Sequence, residues 1–226
     1  MSQATTTAPS KSGPALSPQF HVAHHFRDAD TQFDANRMGI WLFLVTEILL
    51  FGGFFCAFAV FRSWYFDTFV EAHHYLSKEM GTLNTAVLIC SSLTMALAVR
   101  SAQLSNQKAT VRYLIITLLC AATFMVVKYF EYSHKFHDGL LPGKYFSAEG
   151  FQSPHGGIFF GIYFAMTGLH GFHVLIGMGL ITWVLIRAMK GEFSSRYYAP
   201  VEGVGLYWHL VDLIWIFVFP LIYLVG

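Results

Sequence analysis

The chain has 226 residues, of which 55% are hydrophobic and 17% aromatic, while only 12% are charged, against about 25% in soluble domains. With 14 Lys+Arg and 13 Asp+Glu the net charge is +1, which gives no electrostatic reason to expect nucleic-acid binding. This composition excludes a disordered chain and an ordinary soluble domain. At about 20 apolar residues per crossing, the length accommodates five membrane spans joined by short loops.

Residues 1–37 are polar, carry Pro14 and Pro18, and lack the apolar core of a signal peptide. They read as an N-terminal tail preceding a membrane domain at 38–226. The first apolar run extends from Met38 to about Trp64 and is followed by a polar loop with Asp67, Glu71, His73, His74, Lys78 and Glu79. Span two covers about Leu83 to Val99, and span three about Val111 to Phe130. A longer loop, about Ser133 to Pro154, contains Gly139, Pro142, Gly143 and Gly150. Span four runs from about Gly157 to Ile186 and span five from about Val204 to Leu224. These runs are apolar on most faces, as lipid-embedded helices must be. The fold class is therefore all-α, a polytopic membrane bundle of five transmembrane helices.

Lys and Arg set the orientation. Lys11, Arg27, Arg37, Arg100, Lys108, Arg112, Arg187, Lys190 and Arg196 lie towards one side. Arg62, Lys78, Lys128, Lys135 and Lys144 lie towards the other. That excess predicts a cytoplasmic N-terminus. Cys56, Cys90 and Cys120 stand singly in apolar runs and read as buried structural thiols. Glycines at 52, 53, 168, 171, 177 and 179 suggest close helix approach. Trp41, Trp64, Trp183 and Trp208 fall near span ends, where interfacial belts form.

Charged groups near a bilayer centre cost several kcal/mol by order of magnitude, so the intramembrane polar residues are informative. Glu47 lies roughly 6 Å from the middle of span one at 1.5 Å per residue, among wholly apolar neighbours. It is expected as the neutral acid, serving either as a proton-linked group or as a hydrogen-bonded contact between helices. His170 and His173 share a face of span four, and His209 and Asp212 repeat that spacing in span five. Hydrogen bonds from His173 or His209 to Asp212 would fix how those two helices pack. Haem ligation is less well supported, because paired histidines on facing helices are lacking. Lys128 and Glu131, three apart, read as a snorkelling pair at the end of span three. No GxSxG, HExxH or phosphate-loop pattern occurs.

Four segments, in order, resemble subunit III of the haem–copper oxidases, that is, cytochrome c oxidase subunit 3 in its five-helix bacterial form. FLVTEILLFGGFFCAF resembles the stretch in which a buried glutamate precedes a Phe/Gly-rich run, and Glu47 falls on that glutamate. TLNTAVLICSS is similar to the LNT-containing segment, and TGLHGFHVLIGMGLI to the paired-histidine helix, with Arg187 following. YWHLVDLIWIFVFPLIYL brings Trp208, His209, Asp212 and Trp215 into register. The resemblance implies an accessory subunit of a proton-pumping terminal oxidase in aerobic respiratory electron transport. No cofactor is expected in this chain, with haems and copper in partner subunits. Subunit I, subunit II and other respiratory complex subunits would be its partners, together with membrane phospholipid, in a bacterial plasma membrane. Its roles would be support of proton uptake, protection during turnover and lipid binding, with Arg187 at the cytoplasmic headgroups contacting phosphate or a partner carboxylate.

The familiar form of this subunit has seven helices, and this chain carries a polar tail in place of the first two, which leaves the family's lipid cleft open or closed by another chain. Quinol oxidases share the five-helix form, although Leu83-Asn84-Thr85 looks more like the cytochrome c branch. Two readings from other classes stand beside this one: a stand-alone proton-coupled transporter using Glu47 and Asp212, and a haem-bearing membrane cytochrome.

Overall fold

A computed structural model describes residues 29–148, 151–195 and 197–224; most of the tail read at 1–37 therefore lies outside the described residues. The helices are α1 (Ala29–Trp64), α2 (Phe66–His73), α3 (Lys78–Gln103), α4 (Gln107–His137), α5 (Gly156–Met189) and α6 (Ala199–Phe219). All except α2 are long and apolar enough to cross a membrane, so this is a multi-pass membrane protein.

Helix ends follow local chemistry more closely than the apolar runs suggest. α1 already begins at Ala29, since no Gly or Pro interrupts residues 30–37. Ser77 Oγ accepts from Met80 N and caps α3, and Asn106 Oδ1 accepts from Ala109 N at 3.2 Å and caps α4. α4 continues to His137, so His134 and His137 sit on the helix and not in the loop. Part of the loop expected after Trp64 forms α2, which buries Phe69 and Ala72. At Pro220 the last helix changes to a five-residue π turn, Pro220–Leu224, as expected where a residue lacks its N–H and its ring crowds the preceding turn.

α3, α4, α5 and α6 form a ring in which each helix packs on two neighbours, while α1 lies outside it against α5 and α6. Burial reflects this: 56% of the most apolar stretch of the last span is buried, against 17% for the first. Among the glycines that suggested close approach, Gly177 supports it, because an added Cβ would stand 2.6 Å from the Trp208 ring. Gly52, Gly53, Gly171 and Gly179 have open space there, and Gly168 only an ordinary contact. Trp208 is fully buried, donating from Nε1 to Ser91 Oγ at 2.8 Å. It is a core residue rather than an interfacial one, because Gly177 leaves room for its ring. Cys56 and Cys90 are exposed on the helices, not buried, since they point away from the ring.

Candidate functional site among the buried polar groups

Glu47 on α1 is not alone. Its Oε2 lies 2.9 Å from His173 Nε2 on α5, and both side chains are mostly buried. His173 Nδ1 lies 2.8 Å from the Leu169 carbonyl. A carbonyl only accepts, so that nitrogen carries a hydrogen. The Nε2 contact with the Glu47 carboxyl is close enough for an ion pair between α1 and α5, although Oε2 finds no well-aligned hydrogen bond among the described residues. Phe51, one turn along α1, packs edge-on to His173 at 5.4 Å. Tyr207 on α6 donates to the His173 carbonyl at 2.9 Å. The pair lies near the middle of both spans, on the flank between α1 and the ring.

His173 therefore bonds Glu47 and not Asp212. His209 also bypasses Asp212, and its Nδ1 lies 2.8 Å from Ser92 Oγ on α3. The expected histidine–aspartate bonds fail because neighbouring helices supply nearer partners, Ser92 on α3 for His209 and Glu47 on α1 for His173. Asp212 is almost fully buried, with the Ser92 hydroxyl beside its carboxyl and no well-aligned hydrogen bond among the described residues. His170 is fully buried between the rings of Phe124 (5.5 Å) and Trp215 (5.0 Å), with neither ring nitrogen partnered among the described residues.

The largest polar cluster is the one read as a snorkelling pair. Lys128 Nζ donates to Glu131 Oε2 at 2.9 Å, but both residues are buried inside the ring. Tyr163 from α5 donates to Glu131 Oε1 at 2.9 Å, and Tyr223 from the π turn donates to the same oxygen. Lys128 also donates to Tyr223 Oη at 2.7 Å and stands 4.6 Å over the Trp215 ring. Lys135, two turns beyond Lys128, donates to the Tyr75 carbonyl at 3.2 Å. The available sequence signal was Lys128, Glu131 and Lys135 on one helix face, with no way to tell that this face points inward.

At the end of α5, Arg187 Nε lies 2.6 Å from Glu192 Oε2, and its NH2 donates to Tyr197 Oη at 3.2 Å. Its acidic neighbour belongs to its own chain. No three His, Cys, Asp or Glu side chains among the described residues are grouped to hold a metal ion.

The four segments that carry the resemblance thus converge on the ring and its flank, with Glu47, His173, Trp208 and Trp215 each holding an interhelical contact. A family model described as cytochrome c oxidase subunit III matches residues 21–226. The chain belongs to that family. Similar proteins within it include the quinol oxidase subunit 3 of Bacillus subtilis, 31% identical over 216 residues, covering 91% of this chain and 97% of that one. The cytochrome c oxidase subunit 3 of Alkalihalophilus pseudofirmus is 31% identical over 189 residues, covering 84% and 86%. A heme-copper oxidase subunit I+III of Aeropyrum pernix is 29% identical over 204 residues, covering 85% of this chain and 23% of that one. Both donor types thus occur among relatives of nearly the same length, and length does not discriminate between them.

Proposed function

We propose that this chain is the accessory subunit III of a proton-pumping haem–copper terminal oxidase of the cytochrome c type, in a bacterial plasma membrane with its N-terminus cytoplasmic. Within that family membership, the observation that carries the reading is the Glu47–His173 pair. It sets two titratable side chains 2.9 Å apart near the middle of their spans, on the outer flank of the bundle, where they can tune packing and proton environment beside a neighbouring subunit. Haems and copper belong to the catalytic subunit I and its partner subunit II, and this chain binds none. The subunit I+III name of the Aeropyrum pernix relative supports proximity to subunit I. The resemblance of Leu83-Asn84-Thr85 supports cytochrome c over quinol as electron donor.

Phospholipid binding belongs to the same reading. Arg187 uses its Nε and one terminal nitrogen on Glu192 and Tyr197, while the guanidinium's remaining N–H groups suit a headgroup phosphate beside Lys190.

Purification from native membranes tests the proposal. The chain should co-isolate with a large haem–copper subunit, the complex should oxidise reduced cytochrome c, and the separated chain should contain no iron or copper. Isolation as an active carrier on its own, or a haem band from this chain alone, would overturn it. Turnover with quinol only would overturn the donor assignment.

A further inference from the structure

At the end of the bundle that carries Arg187, two turns are stitched together. Ser105, between α3 and α4, has φ +56°, a left-handed conformation that glycine adopts freely and serine rarely. Its hydroxyl shows what serine adds there: Oγ accepts from Ser195 N, in the α5–α6 loop, at 2.8 Å. Two residues on, Gln107 Nε2 donates to the carbonyls of Ala188 and Met189, each at 3.0 Å. Both lie in the last turn of α5, where carbonyls lack their ordinary partner within the helix. Gly191, at φ +74°, turns the chain back, and Ser194 and Tyr197 close the loop by pairing in both directions at 3.1 and 2.9 Å.

The loop held in this way supplies the surroundings of Arg187. Glu192 Oε2 accepts from Arg187 Nε at 2.6 Å, and Tyr197 Oη accepts from NH2 at 3.2 Å. The rings of Phe193 and Tyr197 lie 5.4 and 5.7 Å from the guanidinium carbon. All three residues belong to the loop, so the guanidinium plane is fixed only while the loop is. The Arg187 side chain is still 23% exposed, so a phosphate can reach its remaining N–H groups. Binding to a guanidinium already held in one plane costs less ordering than binding to a free one. We infer that Ser105 and Gln107 are positioning residues for a phosphate-bearing lipid at Arg187: they lock the α5–α6 loop from the neighbouring turn, and the loop presents the guanidinium. This rests on the reading of Arg187 as a phospholipid contact, and neither positioning side chain touches the lipid.

The test uses the assembled complex, stripped of loosely held lipid in detergent and titrated with phosphatidylglycerol, with bound lipid counted by native mass spectrometry. Arg187→Leu comes first and should lose one phospholipid; a full count in that variant would remove the phosphate reading, and the inference with it. Ser105→Gly deletes the acceptor for Ser195 N while giving the backbone the residue its φ favours, so the turn itself is not weakened. Gln107→Glu keeps the shape, but an ionised carboxylate cannot donate to the two carbonyls. Each variant should raise the concentration that half-saturates the Arg187-dependent lipid about fivefold, with the melting temperature of the Ser105→Gly complex close to the parent's. Binding of diacylglycerol, which has the acyl chains without the phosphate, should be unchanged. Parent-like half-saturation in both variants, with the lipid lost in Arg187→Leu, would overturn the inference alone. So would equal weakening of phosphatidylglycerol and diacylglycerol, since that is a general loosening of the bundle and not a misplaced guanidinium.

Discussion

Glu47 and Glu131 are both carboxyl groups held inside the apolar layer beside a nitrogen base, but they are built for different ends. Three donors from three helices converge on Glu131: Lys128 from its own helix, Tyr163 from α5 and Tyr223 from the last turn. Among the described residues Glu47 meets one polar partner, His173, on the flank of the bundle. A carboxylate with three donors and no opening is fixed, and it ties α4, α5 and α6 together. A carboxyl that faces one imidazole on a single neighbouring helix can be rearranged without unpicking the bundle. Hydrogen bonds in number give rigidity, and their scarcity leaves Glu47 able to respond to a neighbour.

The largest expected effect lies on the rigid side. Lys128→Met leaves Glu131 buried without its cation, and breaking a buried pair on one side costs about 3–5 kcal/mol. Little of this variant should accumulate in membranes, as read by immunodetection of the chain. Replacing both charges, Lys128→Met with Glu131→Gln, should recover much of the loss, because the unpaired charge is gone. If the single and double variants accumulated equally poorly, the cluster would matter through shape rather than charge. Next comes Tyr223→Phe, which removes one donor to Glu131 and one acceptor for Lys128. The expected loss is about 1–3 kcal/mol, seen as earlier thermal unfolding in detergent, with α6 losing its hold on α4.

The membrane-spanning helices were legible because twenty-residue apolar runs leave few alternatives, and their ends were less so. Tail residues from Ala29 and polar residues out to His137 join helices because nothing breaks them, although no apolar period marks them. The site residues were legible as types and not as partners. Glu47 and His173 are separated by well over a hundred positions, and only the packing of α1 against α5 brings them together. The Lys128 cluster was misread because a charged pair near a span end looks the same from sequence whether its face meets water or the ring interior. Trp208 was misplaced for the same reason, since nothing in the order of residues says that Gly177 opposes it.

A smaller effect is expected outside the spans, at the end of the bundle that the Glu131 cluster closes. His73 on α2 is buried, and desolvation, with Lys78, His74 and Arg62 nearby, pushes its imidazole below the ordinary value of 6.5; a hydrogen bond with the Ile222 backbone partly opposes this. The unfolded chain then binds that proton more readily than the folded one, so this contribution to stability is full above 6.5. It falls as pH drops from 6.5 towards the lowered folded value. Melting in detergent at about pH 8 and about pH 5.5 should show a decline that His73→Gln reduces. An unchanged slope in that variant would assign the acid sensitivity to other groups.

The subtlest effect is expected at Glu47. Glu47→Gln keeps the length of the side chain and can donate an amide hydrogen to His173 Nε2, so the contact between α1 and α5 survives. What it removes is the titratable carboxyl. Folding and assembly should therefore be close to those of the parent, in contrast to Lys128→Met. Oxygen consumption by the assembled oxidase should also be mostly retained, because no reacting group is assigned to this chain. The defect should emerge in proton pumping per electron or in the number of turnovers before inactivation. His173→Gln should resemble it in both measurements, since either change removes one of the two titratable partners. Complete loss of oxygen reduction in a correctly assembled Glu47→Gln complex would make Glu47 an obligatory proton carrier and not a group that merely responds to its neighbour.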